Sequence, residues 1–194
     1  MAEQQPEQPK PELRRLREVK GNKVRILASL SITEEEMLIQ CIETIEDLAL
    51  FKLALNTGIR REDIVRIETG LVDLGNRTIK FWEEKKNNWH TVPLAQGIIP
   101  DITRYINSLP KGQKKLFNMT GKTAYNRLQY YVKKAGINKK LAFHDLRRTF
   151  VKNAKKKGLS VKAVAQITND KYQTIEELYA NLDMEELKEE ADKL

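Results

Sequence analysis

His144 and Arg147 stand three residues apart in the run Ala142-Phe143-His144-Asp145-Leu146-Arg147-Arg148-Thr149-Phe150. If that run is helical, this spacing puts both on one face. The surroundings are strongly basic: residues 111–160 hold fifteen Lys/Arg and a single acid, Asp145. A neutral imidazole beside a permanently charged guanidinium, on a positive surface, suits chemistry on a phosphate. The pair also fits a capping or core histidine next to a surface arginine, so the rest of the chain must decide. Thr57-Gly58 closes one apolar segment, and Ile59–Ile67 reads as a helix starting directly after it. Arg60 then sits at a helix N-terminus, where outward N–H groups and a guanidinium together make a phosphate pocket. Asp63, three residues on, can reach back to fix an arginine. An ordinary capped helix with surface charges fits the same residues. Lys85 and Lys86 fall in Glu84–Asn88, the turn between two short strands, Thr78–Trp82 and His90–Leu94. They ride on a hairpin tip that can reach into a DNA groove, although most turn lysines are simply solvated.

These residues need a scaffold, and the periodicity supplies a largely helical one. Residues 1–22 are rich in Gln, Pro and Glu and then in Arg and Lys. They read as a tail or linker, with a basic arm through Arg14, Arg15 and Arg17 as the functional alternative. A short strand is expected at 23–27. Helix one begins at Ser31 or Thr33, with Glu36 placed three after Thr33 as in a capping box. Met37, Leu38, Cys41, Ile42 and Ile45 form its stripe. Further helices are expected at about 45–56, 98–109, 123–135, 142–157, 159–168, 173–182 and 184–193. In the 123–135 helix, Tyr125, Leu128, Tyr131 and Val132 point inward, and Arg127, Lys133 and Lys134 outward.

Composition narrows the classes. With 194 residues, 40% hydrophobic and 32% charged, the chain fits a globular protein with one core of ordinary size. Its net charge of +8 points to a polyanion. A membrane partner is not expected: no run approaches the ~18 apolar residues of a span, and the N-terminus has no apolar signal core. One cysteine, Cys41, and two distant histidines, His90 and His144, argue against a disulfide or a zinc cluster and for a reducing, cytoplasmic setting. Residues 176–194 carry eight acids and two lysines, so this end belongs on protein and not on DNA.

Four separated pieces share an order and spacing: Thr57-Gly58-Ile59-Arg60 with Asp63; a hairpin-tip lysine before Val92-Pro93-Leu94; His144-Asp145-Leu146-Arg147-Arg148-Thr149-Phe150; and Tyr179, 32 residues after Arg147. Together they resemble the catalytic domain of the tyrosine recombinases, the phage-type integrases and chromosome-dimer-resolving recombinases, over roughly Ile32 to Asn181. The resemblance implies a mainly α (α+β) fold, helical with a small antiparallel β-sheet. It implies a catalytic domain at 30–183, preceded by a basic, Pro-rich tail at 1–29 and followed by a docking helix at 184–194. By the same resemblance Tyr179 would be the nucleophile, and Arg60 and Arg147 would hold the scissile phosphate. His144 would relay the tyrosine proton, Lys85 would protonate the departing 5′-oxygen, and Asp63 would support. Lys86 is the alternative to Lys85. Lys111, Lys114, Lys115, Lys122, Arg127, Lys133, Lys134 and Arg148 would face double-stranded DNA near the nucleoid. A tetramer would assemble there from a protein that can be monomeric in free solution.

The chemistry stands on its own terms. Phosphodiester exchange needs a nucleophile, charge on the non-bridging oxygens and an acid for the leaving alkoxide. A phenol of pKa ~10 needs help losing its proton, and two arginines supply permanent charge. The 3′-phosphotyrosine adduct keeps the ester bond energy, so no ATP is required, and because the arginines take a metal's place as electrophile, no metal or other cofactor is required either.

Two departures stand out. Family members usually carry a second histidine or a tryptophan about nine residues before the tyrosine. Here Asn169 is ten before Tyr179 and Lys171 eight before, and either can donate to a phosphate oxygen. The family also has an N-terminal helical domain that closes a clamp on DNA, which some thirty residues cannot build. Two other readings use the same residues. One is a DNA-binding module or degenerate relative without catalysis, for which Leu159–Ile167 and Tyr172–Leu182 have helix-turn-helix spacing. The other is strand cleavage and relaxation in the manner of a type IB topoisomerase. A buried helix tyrosine is the plain alternative for Tyr179.

Overall fold

The computed structural model describes residues 28–180 and 191–192. The expected strand at 23–27, the tail at 1–27 and the bulk of the helix at 184–193 lie outside the described residues. Eight α-helices and one small sheet follow in chain order among the described residues.

Helix α1 (Ile32–Gln40) is capped by Ser31, whose hydroxyl accepts from Glu34 N while the Glu34 carboxylate accepts from Ser31 N. The capping box therefore uses Ser31 and Glu34, not Thr33 and Glu36. Leu30 explains the choice: it is buried, its N–H donates to Thr149 Oγ1 at 2.9 Å, and this anchor starts the first turn directly behind it. Only Leu38 of the helix is fully buried, and Met37 is 40% exposed. Helix α2 (Ile45–Thr57) is capped by Thr44. Ala49, Leu50, Phe51, Leu53 and Ala54 are all buried, so α2 is the central helix and packs against α4 (Ile99–Ser108) and α6 (Phe143–Lys156).

Helix α2 ends on Gly58, at φ +65°. A Cβ there would lie 2.9 Å from Phe150 Cδ1 and 3.3 Å from Arg147 Cγ, so both the backbone and the space demand glycine. Helix α3 (Arg61–Ile64) is one turn, shorter than the Ile59–Ile67 helix the sequence suggests. The chain leaves the helix because Leu116 N donates to Ile67 O and Thr69 N to Lys114 O, both at 2.8 Å. Pairing with a distant loop outcompetes the local helix bonds.

Strands β1 (Val72–Asp73), β2 (Thr78–Glu83) and β3 (Asn88–Pro93) form an antiparallel sheet in that order. The hairpin matches the expected strands within two residues. Strand β1 is additional and too short to show a period. Ile79 pairs with Val92 and faces the core, whereas Trp82 pairs with Trp89 on the solvent side. Alternation along β2 turns Glu83 inward after Ile79 and Phe81, and all three are buried.

Thr120 caps α5 (Gly121–Lys134) and Ser160 caps α7 (Val161–Thr168), each through its hydroxyl. Asn169, at φ +51°, closes α7, and α8 (Tyr172–Ala180) follows. One hydrophobic cluster spans α2, the sheet, α4 and α5. A second joins Phe150, Val151 and Ala154 of α6 to Val164 and Ala165 of α7 and Ile175 of α8. Helix α6 belongs to both, through Phe143 and Leu146 at one end and Phe150 and Val151 at the other. Arg147 lies between them. No helix among the described residues is long and apolar enough to cross a membrane.

Candidate active site

A cleft of about 640 Å³ opens where the start of α6 meets the hairpin tip and the α7–α8 junction. Arg60, Lys85, Lys86, His144, Arg147, Arg148 and Lys171 all line it. Residues from four separated stretches thus converge, and most are cations. Arg147 is 5% exposed and the most enclosed of them. Its guanidinium donates to the carbonyls of Gly58 and Thr168 and to the Asp170 carboxylate, with Nη2 2.7 Å from Oδ2. Burial pulls its pKa down and Asp170 opposes that. Gly58 therefore serves twice, ending α2 and turning its carbonyl onto Arg147. Arg60 precedes α3 and pairs with the buried Glu83 carboxylate and, at 2.9 Å, with Asp170 Oδ1.

His144 lies at the start of α6, exposed toward the cleft. Neighbouring protein atoms desolvate the ring, and Arg148 and Arg147 repel its proton, so its pKa falls below 6.5. The imidazole is neutral at pH 7 and able to accept a proton. Asp145 receives the Ala142 N–H at 2.6 Å and holds Arg148. This fixes the first turn of α6 and with it the helix that carries His144 and Arg147.

Lys86 donates to the backbone and side-chain oxygens of Asn169, and Asn169 Nδ2 donates to Glu83. The hairpin tip is thereby tied to the end of α7. Lys85 is exposed and lines both this cleft and the adjoining one that contains Asp63. Asp63 does not bond Arg60. Its Oδ1 accepts from Glu84 N at 3.3 Å, its Oδ2 is buried without a partner, and burial pushes its carboxyl up. Glu83, turned inward by the alternation along β2, and Asp170 take the arginine-fixing place expected for Asp63.

Tyr179 is not among the residues lining the cleft. Its ring packs against the second cluster, its hydroxyl donates to Leu159 O at 2.9 Å, and burial raises its pKa. Of the basic residues expected to face DNA, Lys111, Lys114, Lys115, Lys122 and Lys133 are exposed but do not line the cleft. Lys134 pairs with Glu43, and Arg127 pairs with Glu46 and Asp47 at 2.6 Å each, tying α5 to α2.

Two contributors escape the sequence reading. Glu83 was signalled only by strand alternation, and acids rarely sit on a buried face. Asp170 stands nine residues before Tyr179, between Asn169 and Lys171. Its acid chemistry is the opposite of the phosphate donor expected there.

Comparisons with known proteins place the chain in a family and a fold. The model of the Phage integrase family matches residues 29–186. Tyrosine recombinase XerA of Saccharolobus solfataricus is 27% identical over 172 residues, covering 89% of this chain and 57% of that protein. Tyrosine recombinase XerD of Staphylococcus epidermidis is 25% identical over 154 residues, covering 73% of this chain and 52% of that one. The chain thus spans little more than half the length of these relatives. A XerA recombinase crystal structure is similar with a TM-score of 0.76 at 23% identity, over 86% of this chain and 64% of that chain. A lambda integrase dimer bound to a core site is similar with a TM-score of 0.64 at 15% identity, over 77% and 60%. Both structural likenesses establish the fold, that of a tyrosine recombinase catalytic domain.

Proposed function

The chain belongs to the phage integrase family, and from that premise we propose that it is the catalytic part of a site-specific DNA recombinase working through a 3′-phosphotyrosine. The observation that carries this reading is the convergence of Arg60 and Arg147 on one anion position in a cleft that also holds His144 and the hairpin lysines. The two guanidiniums stabilise charge on the non-bridging oxygens as the phosphorus becomes five-coordinate. The Tyr179 oxygen attacks phosphorus and the bond to the 5′-oxygen breaks. His144 takes the phenol proton, and Lys85 delivers a proton to the leaving oxygen. A 5′-hydroxyl from another strand reverses the sequence and reseals the backbone. Lys171 is a further donor lining the cleft, while Asn169, held by Lys86, gives its amide N–H to Glu83 and would have to release it to reach a phosphate.

XerH has been solved bound to its difH substrate, and lambda integrase as a dimer on DNA. For this chain we take double-stranded DNA as the partner, a tetramer as the working assembly, the cytoplasm as its place, and residues 30–183 as the catalytic unit. A second reading, DNA binding without cleavage, is favoured by the position of Tyr179 outside the cleft and by the carboxylate lying between the arginines. One experiment separates the two. Wild type and Tyr179→Phe are incubated in EDTA with a randomised pool of nicked suicide duplexes and run on a denaturing gel. Recombinase chemistry gives a covalent adduct that the variant lacks. Salt-sensitive binding with no adduct supports the binding-only reading.

A further inference from the structure

The Asp170 carboxylate occupies the point on which the two arginines converge. Its Oδ1 accepts from Arg60 Nη2 at 2.9 Å, and its Oδ2 accepts from Arg147 Nε at 3.2 Å and lies 2.7 Å from Arg147 Nη2. The other bonds of both guanidiniums go to groups that cannot leave: the buried Glu83 for Arg60, and the Gly58 and Thr168 carbonyls for Arg147. The guanidinium edges facing the cleft are therefore the ones Asp170 holds. One carboxylate presents two acceptor oxygens to two arginines, as two non-bridging oxygens of a phosphodiester would. Asp170 lines the cleft and is 19% exposed, so its side chain has somewhere to go. Its backbone is anchored independently, through Asp170 N to Ala165 O at 3.1 Å. Rotation of the side chain need not unwind α7.

We propose that Asp170 is an internal stand-in for the scissile phosphate, presetting Arg60 and Arg147 at anion spacing in the free protein and yielding its place when DNA enters. This rests on the cleft being a phosphodiester site. Its cost is competition: an entering phosphate must displace a charge already paired with both arginines. Its benefit is that two cations never face each other unscreened.

The test uses the full chain with Asp170→Asn and Asp170→His, inorganic phosphate and a labelled random-sequence duplex. Thermal unfolding without phosphate should show both variants less stable than wild type. Phosphate should restore them in a saturable way while leaving wild type little changed. Affinity of Asp170→Asn for phosphate and for the duplex should rise about tenfold or more, the scale of removing one close charge at a partly screened site. Variants that unfold early without phosphate rescue, or that bind duplex more weakly than wild type, overturn the proposal and leave Asp170 a structural ion pair. If neither variant folds, phosphate added during refolding decides: recovery of a cooperatively unfolding protein supports the stand-in, and none overturns it. The adduct assay on wild type is independent. A phosphate response without any adduct sinks the catalytic reading alone, whereas adduct without the response sinks the stand-in alone.

Discussion

The Tyr179 hydroxyl donates a 2.9 Å hydrogen bond to the Leu159 carbonyl, on a helix whose Thr174, Glu177 and Leu178 line the arginine cleft while Tyr179 does not. The phenol is held on the connection between α6 and α7, and the proposed attack on a phosphate between Arg60 and Arg147 requires α8 to turn or shift. Replacing Tyr179 with Phe should cost about 1 kcal/mol of stability, the worth of one partly buried hydrogen bond. It should leave duplex affinity unchanged and abolish the adduct. Urea unfolding alongside the trapping gel checks all three. A large stability loss would mean that Tyr179 is chiefly a core residue.

Lys85 and Lys86 are separable. Lys86 is engaged with Asn169, whereas Lys85 is exposed and lines both adjoining clefts. Lys85→Ala should slow cleavage by about 10²–10⁴, the usual contribution of a general acid. A substrate with sulfur in place of the bridging 5′-oxygen should restore it, since a thiolate leaves without a proton. Lys86→Ala should show a smaller loss that sulfur does not repair. The opposite pattern would transfer the acid role to Lys86.

Arg127 looks like a DNA contact in the sequence but is engaged by Glu46 and Asp47. Asp47 also receives the Tyr131 hydroxyl at 2.9 Å and is buried. Arg127→Ala should destabilise by roughly 2–3 kcal/mol, less than a fully buried pair because the arginine is partly exposed. It should not alter the salt dependence of duplex binding. Lys122→Ala should change stability by no more than about 0.5 kcal/mol and, where Lys122 meets a phosphate, flatten the log–log salt slope by about 1. A salt slope that moves with Arg127 would return that residue to the DNA face.

His144 has a pKa below its ordinary 6.5, from desolvation and then from Arg148 and Arg147. Below that pH the unfolded chain takes up a proton that the folded His144 resists, so stability falls as pH falls through 6.5 and downward. Above it this residue adds no slope. A single such group contributes at most about 1.4 kcal/mol per pH unit, and the exposure of His144 reduces this further. The difference in urea midpoint between about pH 7.5 and 5.5 should shrink in His144→Gln. An unchanged difference would show that the slope comes from other groups.

Much of the scaffold was legible because its signals are local. Ser31 announces a helix start, Gly58 announces a helix end, and the run Thr78–Trp82 announces a strand. His144 and Arg147 share a face by helical period alone, and both line the cleft. The local pattern suggests a longer α3 than forms, because pairing of Ile67 and Thr69 with residues 114–116 is non-local and no window of neighbouring residues contains it.

The sequence by itself determined which chemical groups exist and in what order: a neutral histidine, two permanent cations, hairpin lysines and a tyrosine 32 residues after Arg147. Those follow from residue type and spacing, which folding does not change. Which charges are free and which are taken was decided only by tertiary structure. Arg127 became a helix tie, Lys86 a partner of Asn169, and Tyr179 a donor to Leu159. The cleft's two arginines came to share Asp170, 110 residues from Arg60. The physical reason is that an ion pair depends on separation in space and on local burial, and neither is a function of distance along the chain.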